Sequence, residues 1–193
     1  MIRAATPADA TAVAPLMILA MGHIAGIFAN SENYEDAIPF FEMFFKMENN
    51  QYSYVNTLVY ENEDGIIGSV TGYDGEFLRE LRQPILDELR KQDPDFIPND
   101  ETEAGEYYLD CVNVKENQQG KGIGKKLINA FCDLGFGLGY KRIGLIVDMD
   151  NPDARKLYTN LGFYEVGTRY FMGHQYFHMV KDYDKIVVND SAK

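Results

Sequence analysis

Cations are scarce in this chain. Its 193 residues carry 18 Lys and Arg against 30 Asp and Glu, for a formal net charge of −12. A protein that neutralises a phosphate backbone is usually basic, so no nucleic-acid partner is expected. Cysteine is scarce too. Cys111 and Cys132 sit among apolar neighbours, without the number or spacing of a metal cluster, redox pair or disulfide framework. They fit a reducing, cytoplasmic setting. The three histidines supply no metal set, and no metal is expected. His174 and His178 have HxxxH spacing, but in a strand they lie roughly 13 Å apart. His178 is a candidate pocket residue; His174 and His23 read as ordinary. No apolar run is clean enough for a membrane span. The stretch 10–29 comes nearest, and Pro15 and His23 interrupt it, while Asp9 precedes it where a signal peptide would be basic.

What is present suits a folded domain. Hydrophobic residues make up 46%, and 12 Phe and 13 Tyr supply a large aromatic core without tryptophan. Residues 1–181 read as one domain, with 182–193 as a polar tail. A strand is expected over 2–4. A helix follows over 7–21, with Thr6 as N-cap, Pro7 at the first position and Asp9 closing the capping box. A second helical region over 34–48 should bend or divide at Pro39. Strands are expected over 52–60 and 66–73, joined by Glu63-Asp64-Gly65. After 74–105 come a strand over 107–114, a helix over 122–138, a strand over 142–149, a helix over 152–161, and strands over 163–171 and 175–181.

The stretch 74–105 reads as an insertion. Its first half has helical spacing broken by Pro84; its second half is acidic and loop-like. From 61 to 110 there are fifteen carboxylates against Arg79, Arg82, Arg90 and Lys91. This is either a solvated face or a field that draws in a cationic substrate.

The sharpest signal is Gln118-Gln119-Gly120-Lys121-Gly122-Ile123-Gly124-Lys125-Lys126, between a strand and a helix. Glycines let backbone approach a ligand, and a helix start offers free N–H groups and a positive dipole end. From 117 to 132 there are three lysines and no acid, a local reversal of the chain's charge. Gly124-Lys125 is followed by Lys126, not Ser or Thr, and Gln119 stands where a Walker loop needs its first glycine. The spacing of Gly120, Gly122 and Gly124 also fails the dinucleotide fingerprint.

Gln119, Gly122 and Gly124 match the pattern Gln/Arg-x-x-Gly-x-Gly/Ala. The run from Asn151 to Phe163 matches Asn-x-x-Ala-x-x-x-Tyr-x-x-x-Gly-Phe through Asn151, Ala154, Tyr158, Gly162 and Phe163. Together, over 107–167, these motifs resemble the GNAT superfamily of acyl-CoA-dependent N-acyltransferases. The resemblance implies an α/β (α+β) fold: a central mixed, mostly antiparallel sheet flanked by helices, with a splayed parallel strand pair. It implies acetyl-CoA as co-substrate. The loop residues Gln119, Gly120, Lys121, Gly122, Ile123, Gly124 and Lys125 would hold its pyrophosphate. Val112 and Val114 would offer backbone to the pantetheine arm, and Asn151 would add a contact beside its cap role.

The implied reaction is direct attack of a neutral primary amine on the thioester in a ternary complex. Tyr158 stands where the family often places the acid that protonates the leaving thiolate, although its stripe also makes it core. Some members carry a carboxylate base on the strand before the loop. Tyr108 aligns there, and Asp110, two residues on, shares its face by alternation. Asp110 is the candidate base or substrate ligand; a structural hydrogen bond is the other reading. The acceptor would be a small-molecule or peptide amine, cationic in water, and a homodimer is left open. The alternative is a non-catalytic acyl-CoA-binding or sensing module on the same fold.

Overall fold

In the computed structural model, which describes residues 1–184, strand β1 (Ile2–Ala4) opens the chain. Thr6 and Asp9 form the expected capping box, with Pro7 in the first helical position, and a 3-10 turn leads into α1 (Ala10–Met21). Gly22, at φ +53°, breaks the path, and α2 (His23–Ala29) follows, a helix the sequence pattern does not single out. Residues 34–48 do divide near Pro39. A 3-10 turn over Tyr34–Ala37 gives way to α3 (Ile38–Lys46), with the proline in the first turn, where its missing N–H breaks no helical bond.

Strand β2 (Thr57–Asn62) starts later than expected. The side chains of Asn50 and Ser53 accept from the N–H groups of Tyr52 and Val55 and hold 52–56 in turns. Such local bonds compete with a strand ladder. Strand β3 (Gly65–Asp74) returns beside it. Helix α4 (Leu78–Leu89) runs through Pro84 instead of breaking there. Ile85, Leu86 and Leu89, all beyond the proline, are buried, and their burial offsets a proline cost of about 3 kcal/mol.

The remaining elements follow the expected order: β4 (Tyr107–Val114), α5 (Ile123–Gly137), β5 (Arg142–Asp148), α6 (Pro152–Asn160), β6 (Tyr164–Phe171) and β7 (His174–Asp182). Asp182, expected to begin the tail, belongs to β7 and pairs with Arg142. The rest of the expected tail, from 185 on, lies outside the described residues.

The seven strands form one sheet in the order β1-β2-β3-β4-β5-β7-β6. Every neighbouring pair is antiparallel except β4–β5. One apolar cluster gathers α1, α2, α3 and the end of α4 with Val59, Ile66 and Cys111 of the sheet. A second gathers α5 and Tyr158 of α6 with Val70, Leu109, Ile143 and Leu145. The sheet is thus covered by helices on both faces, as a layered α/β domain requires.

Candidate active site

Two departures from a regular sheet make the cleft. First, β4 and β5 are paired only at Tyr107↔Ile143 and Tyr108↔Gly144. Beyond those positions β4 stays with β3 and β5 stays with β7, so the parallel strands splay toward their carboxyl ends. Second, β4 carries a bulge. Its register against β3 jumps from Thr71↔Cys111 to Gly72↔Leu109, leaving Asp110 as the extra residue. Bulges bend a strand and re-aim side chains. Here the alternation flips across it: Leu109 packs into the α5 cluster and Cys111 into the α1 cluster. Gly72 makes the kink possible. A Cβ there would lie 2.2 Å from the Tyr108 carbonyl oxygen and 2.3 Å from the Phe131 ring.

The splayed strands bound a cleft of about 620 Å³. Asp110, Val112, Asn151 and Tyr158 line it, with Tyr52, Tyr108 and the α1–α2 turn. Asp110 and Tyr108 both line this space, as expected for residues two apart on β4, and the bulge turns Cys111 toward it as well. One Asp110 oxygen, Oδ2, is buried without a hydrogen-bond partner. Burial pushes the carboxyl up to about 7, and the neighbouring Glu101 carboxylate adds to the shift, while the Gln51 amide and Arg82 oppose it.

Tyr158 is packed in the core and also lines the cleft. Its ring packs edge-on against Phe163 at 5.7 Å, and it faces the cleft. Burial holds its phenol above the usual range, so it stays protonated at neutral pH. Asn151 caps α6, accepting from the Ala154 N–H at 3.0 Å, while standing at the cleft edge. Gly162 follows α6 at φ +90°.

The glycine loop follows the end of β4. Gly120 and Gly122 are left-handed, at φ +75° and +77°, and a Cβ at either would meet nothing within 4 Å, so the space beside them is open. Gly122 is the N-cap of α5 and offers no capping side chain; the first backbone bond back to it comes from Lys126. Ile123, buried, and Gly124 form the first turn of α5, whose N–H groups lack that cap. Gln119 reaches back to the Val114 carbonyl at 3.1 Å and ties the loop to β4. Lys121 donates to Gln118 at 2.7 Å, and Lys125 is exposed. Val112 lines the cleft, whereas Val114 packs in the α5 cluster.

Other residues join the site that composition alone did not mark. His23 stacks on His174, ring centroids 4.2 Å apart, and His174 Nδ1 lies 3.2 Å from Asp148 Oδ2. His23 and Asp148 line the cleft. Their meeting joins α2, β5 and the β6–β7 hairpin, and no local pattern encodes it. His178 departs from the pocket expectation: it is buried against Glu106, 2.9 Å away, and does not line the cleft. The acidic stretch also departs from a uniform exposed field. Asp100 pairs with Arg79 and Arg82, Glu101 is buried against Arg82, and Glu103 pairs with Arg169; Asp93 and Asp95 stay exposed. A second cavity of about 660 Å³ lies between α2 and the end of α4 and shares only His23 with the cleft.

Among the described residues no group of three or more His, Cys, Asp or Glu could hold a metal ion, and no helix is long and apolar enough to cross a membrane.

Comparison with known proteins agrees with this geometry. No curated protein matches the chain. A solved acetyltransferase is 34% identical, covering 94% of this chain and 98% of its own, with a TM-score of 0.77. An N-acetyltransferase from Staphylococcus aureus Mu50 is 25% identical, covering 93% of this chain and 99% of its own, also at 0.77. The PaiA N-acetyltransferase from Thermoplasma acidophilum, solved in complex with coenzyme A, shares the fold at 17% identity and a TM-score of 0.60, over 95% of this chain and 98% of its own. The family model for the acetyltransferase (GNAT) family matches residues 24–163. With its splayed parallel pair, its bulged β4 and its glycine-started α5, the chain belongs to the GNAT acetyltransferase family.

Proposed function

We propose that the protein transfers an acetyl group from acetyl-CoA to a primary amine by direct attack within a ternary complex. The observation that carries this reading is the unpartnered Asp110 oxygen, buried in the cleft between the splayed strands. An orphaned carboxylate oxygen is costly unless a ligand completes it, and a protonated amine is its natural partner.

The chain's residues fit the co-substrate. The open space at Gly120 and Gly122 and the uncapped start of α5 suit a pyrophosphate. Lys125 adds charge beside it, and Lys121 supports the loop. The edge of β4 that β5 leaves unpaired at Val112 suits an extended amide-bearing arm, and Gln119 already holds the Val114 carbonyl. Acetyl-CoA, when bound, supplies an activated thioester carbonyl. Asp110 first attracts the ammonium form of the acceptor and then takes its proton, a task matched to a carboxyl near 7. Tyr158, protonated in its buried setting, donates to the departing thiolate. The acceptor is a small-molecule or peptide amine, cationic before transfer. Two buried free cysteines fit a reducing, cytoplasmic setting.

Release of free coenzyme thiol, followed across a panel of primary amines, tests the proposal. Amine-dependent release is expected. Saturable acetyl-CoA binding with no release by any amine would replace catalysis with an acyl-CoA-sensing role.

A further inference from the structure

The stretch 74–105 contributes two buried charges to the surroundings of Asp110. Arg82 is 5% exposed and Glu101 1%. The Arg82 guanidinium donates to Glu101 Oε2 and, at 3.2 Å, to Asp100 Oδ1. The Tyr73 hydroxyl, from β3, donates to Glu101 Oε1 at 3.3 Å and accepts from Gln51 Nε2 at 3.3 Å. Gln51 is itself buried, its backbone N–H bonds to the Leu81 carbonyl of α4, and its amide favours the charged form of the Asp110 carboxyl. A buried polar chain thus runs from Arg82 through Glu101 and Tyr73 to Gln51, next to Asp110 in its electrostatic surroundings.

Stability alone does not account for this chain. A buried ion pair recovers little more than its own desolvation, and an apolar replacement is often neutral or stabilising. The other titratable groups packed around Asp110 are Tyr52, Tyr73 and Tyr108, and Cys111 beside it on β4; burial keeps all four protonated. His23, Asp148, Asp150, Tyr158 and Tyr176 face the same cleft from α2, β5, the β5–α6 turn, α6 and β7. Among the groups that act on Asp110, Glu101 and Arg82 are the two that carry charge, and they act in opposite directions.

We propose that Glu101 and Arg82 are positioning residues for Asp110. The pair anchors Tyr73 and Gln51, which hold the carboxyl with its free oxygen in the cleft, and its two charges set the pH at which that carboxyl releases its proton. The proposal rests on the reading of Asp110 as the base, and it gives the stretch 74–105 a task in the site.

The test compares Glu101→Gln with Arg82→Gln. Two readouts are used: the acid limb of kcat/KM against pH, and the titration of the Asp110 carboxyl followed by carbon NMR in aspartate-labelled protein. Glu101→Gln should move the titration down, and Arg82→Gln should move it up, each on the order of one unit. Arg82→Lys, which keeps the charge, should return it toward the parent. A merely structural pair would lower activity in both variants without displacing the titration in opposite directions. Tyr73→Phe leaves both charges in place and removes only the hydroxyl bridge; it should raise the titration by a smaller step. Coincident titrations in the folded Gln variants overturn the proposal; where both fail to fold, an unmoved Tyr73→Phe titration overturns it. If the NMR titration shifts and the kcat/KM limb does not follow, the positioning stands and the reading of Asp110 as base fails.

Discussion

Asp110→Asn removes one ionisable group while changing the side chain's shape little. In the folded protein burial, reinforced by Glu101, raises that carboxyl from 3.8 to about 7. Between these values the folded state holds the proton and the unfolded state has released it. The group's contribution is therefore fully present below the unfolded value, falls as pH rises through the window, and is lost above about 7. A shift of about three units at 1.36 kcal/mol each comes to about 4 kcal/mol. The Asn variant has no proton to lose. Parent and variant should differ little in the acid, and the variant should become the more stable by up to about 4 kcal/mol at alkaline pH. Urea midpoints of both proteins at about pH 4.5 and about pH 8 measure this, and fixed hydrogen-bond differences cancel between the two conditions. Activity reports the same group with opposite sense. The parent's kcat/KM should show an acid limb near 7. The variant should lose it, falling most at neutral pH and recovering in part where the amine is already neutral. Release of coenzyme thiol can be followed with a thiol reagent, because Cys111 and Cys132 are buried and burial raises both thiols, Cys132 to about 11. A stability gap that is equal at both pH values, or an acid limb that survives the substitution, would refute the reasoning.

Four further outcomes are expected. Tyr158→Phe keeps the packing against Phe163 and should lower kcat by about 10²-fold with acetyl-CoA affinity unchanged in calorimetry; a full-rate variant returns Tyr158 to the core. Gly122→Ala places a Cβ at φ +77°, which should cost about 1–2 kcal/mol of stability and weaken acetyl-CoA binding. Gly124→Ala, already helical and in ordinary contact with Val114, should gain about 0.5–1 kcal/mol and bind as the parent does; equal affinities in the two variants would remove the loop from the site. Gly144→Ala would set a Cβ 2.3 Å from Glu106 Oε2, in the space the carboxylate uses to reach His178, and its thermal midpoint should fall by an amount equivalent to about 1–3 kcal/mol.

The parts legible in the sequence are those whose causes lie within a few residues. Thr6, Pro7 and Asp9 start a helix by local hydrogen bonding and a preset dihedral. Asn151 and Pro152 do the same for α6, and Gly162 ends it. Gly120 and Gly122 announce a left-handed loop because few other residues adopt that backbone readily. Spacing also places Tyr158 on the buried stripe of its helix, and the motif around it names the family before any contact is seen. Local signals fail where they compete: Asn50 and Ser53 pull 52–56 out of a strand, and burial beyond Pro84 carries α4 past it.

Tertiary structure decided the rest, because it depends on which strand lies beside which and in what register. Asp110 is the extra residue of a bulge, and a bulge is defined by its partner: only β3, with Gly72 yielding space, shows that Asp110 is the residue left unpaired. The splay exists because β5 keeps its pairing with β7 while β4 keeps its pairing with β3. Composition counts Glu101 and Arg82 among many charges, and only packing shows that they are buried together and linked through Tyr73 to Gln51. His23 and His174 are far apart in the chain and stacked in space. Sequence alone therefore determined the order of the elements other than α2 and the left-handed glycine loop, which are short-range matters of periodicity and capping. The charge and exposure of the acidic side chains around the site were set by the fold, because desolvation and ion pairing act across the chain and leave no local trace.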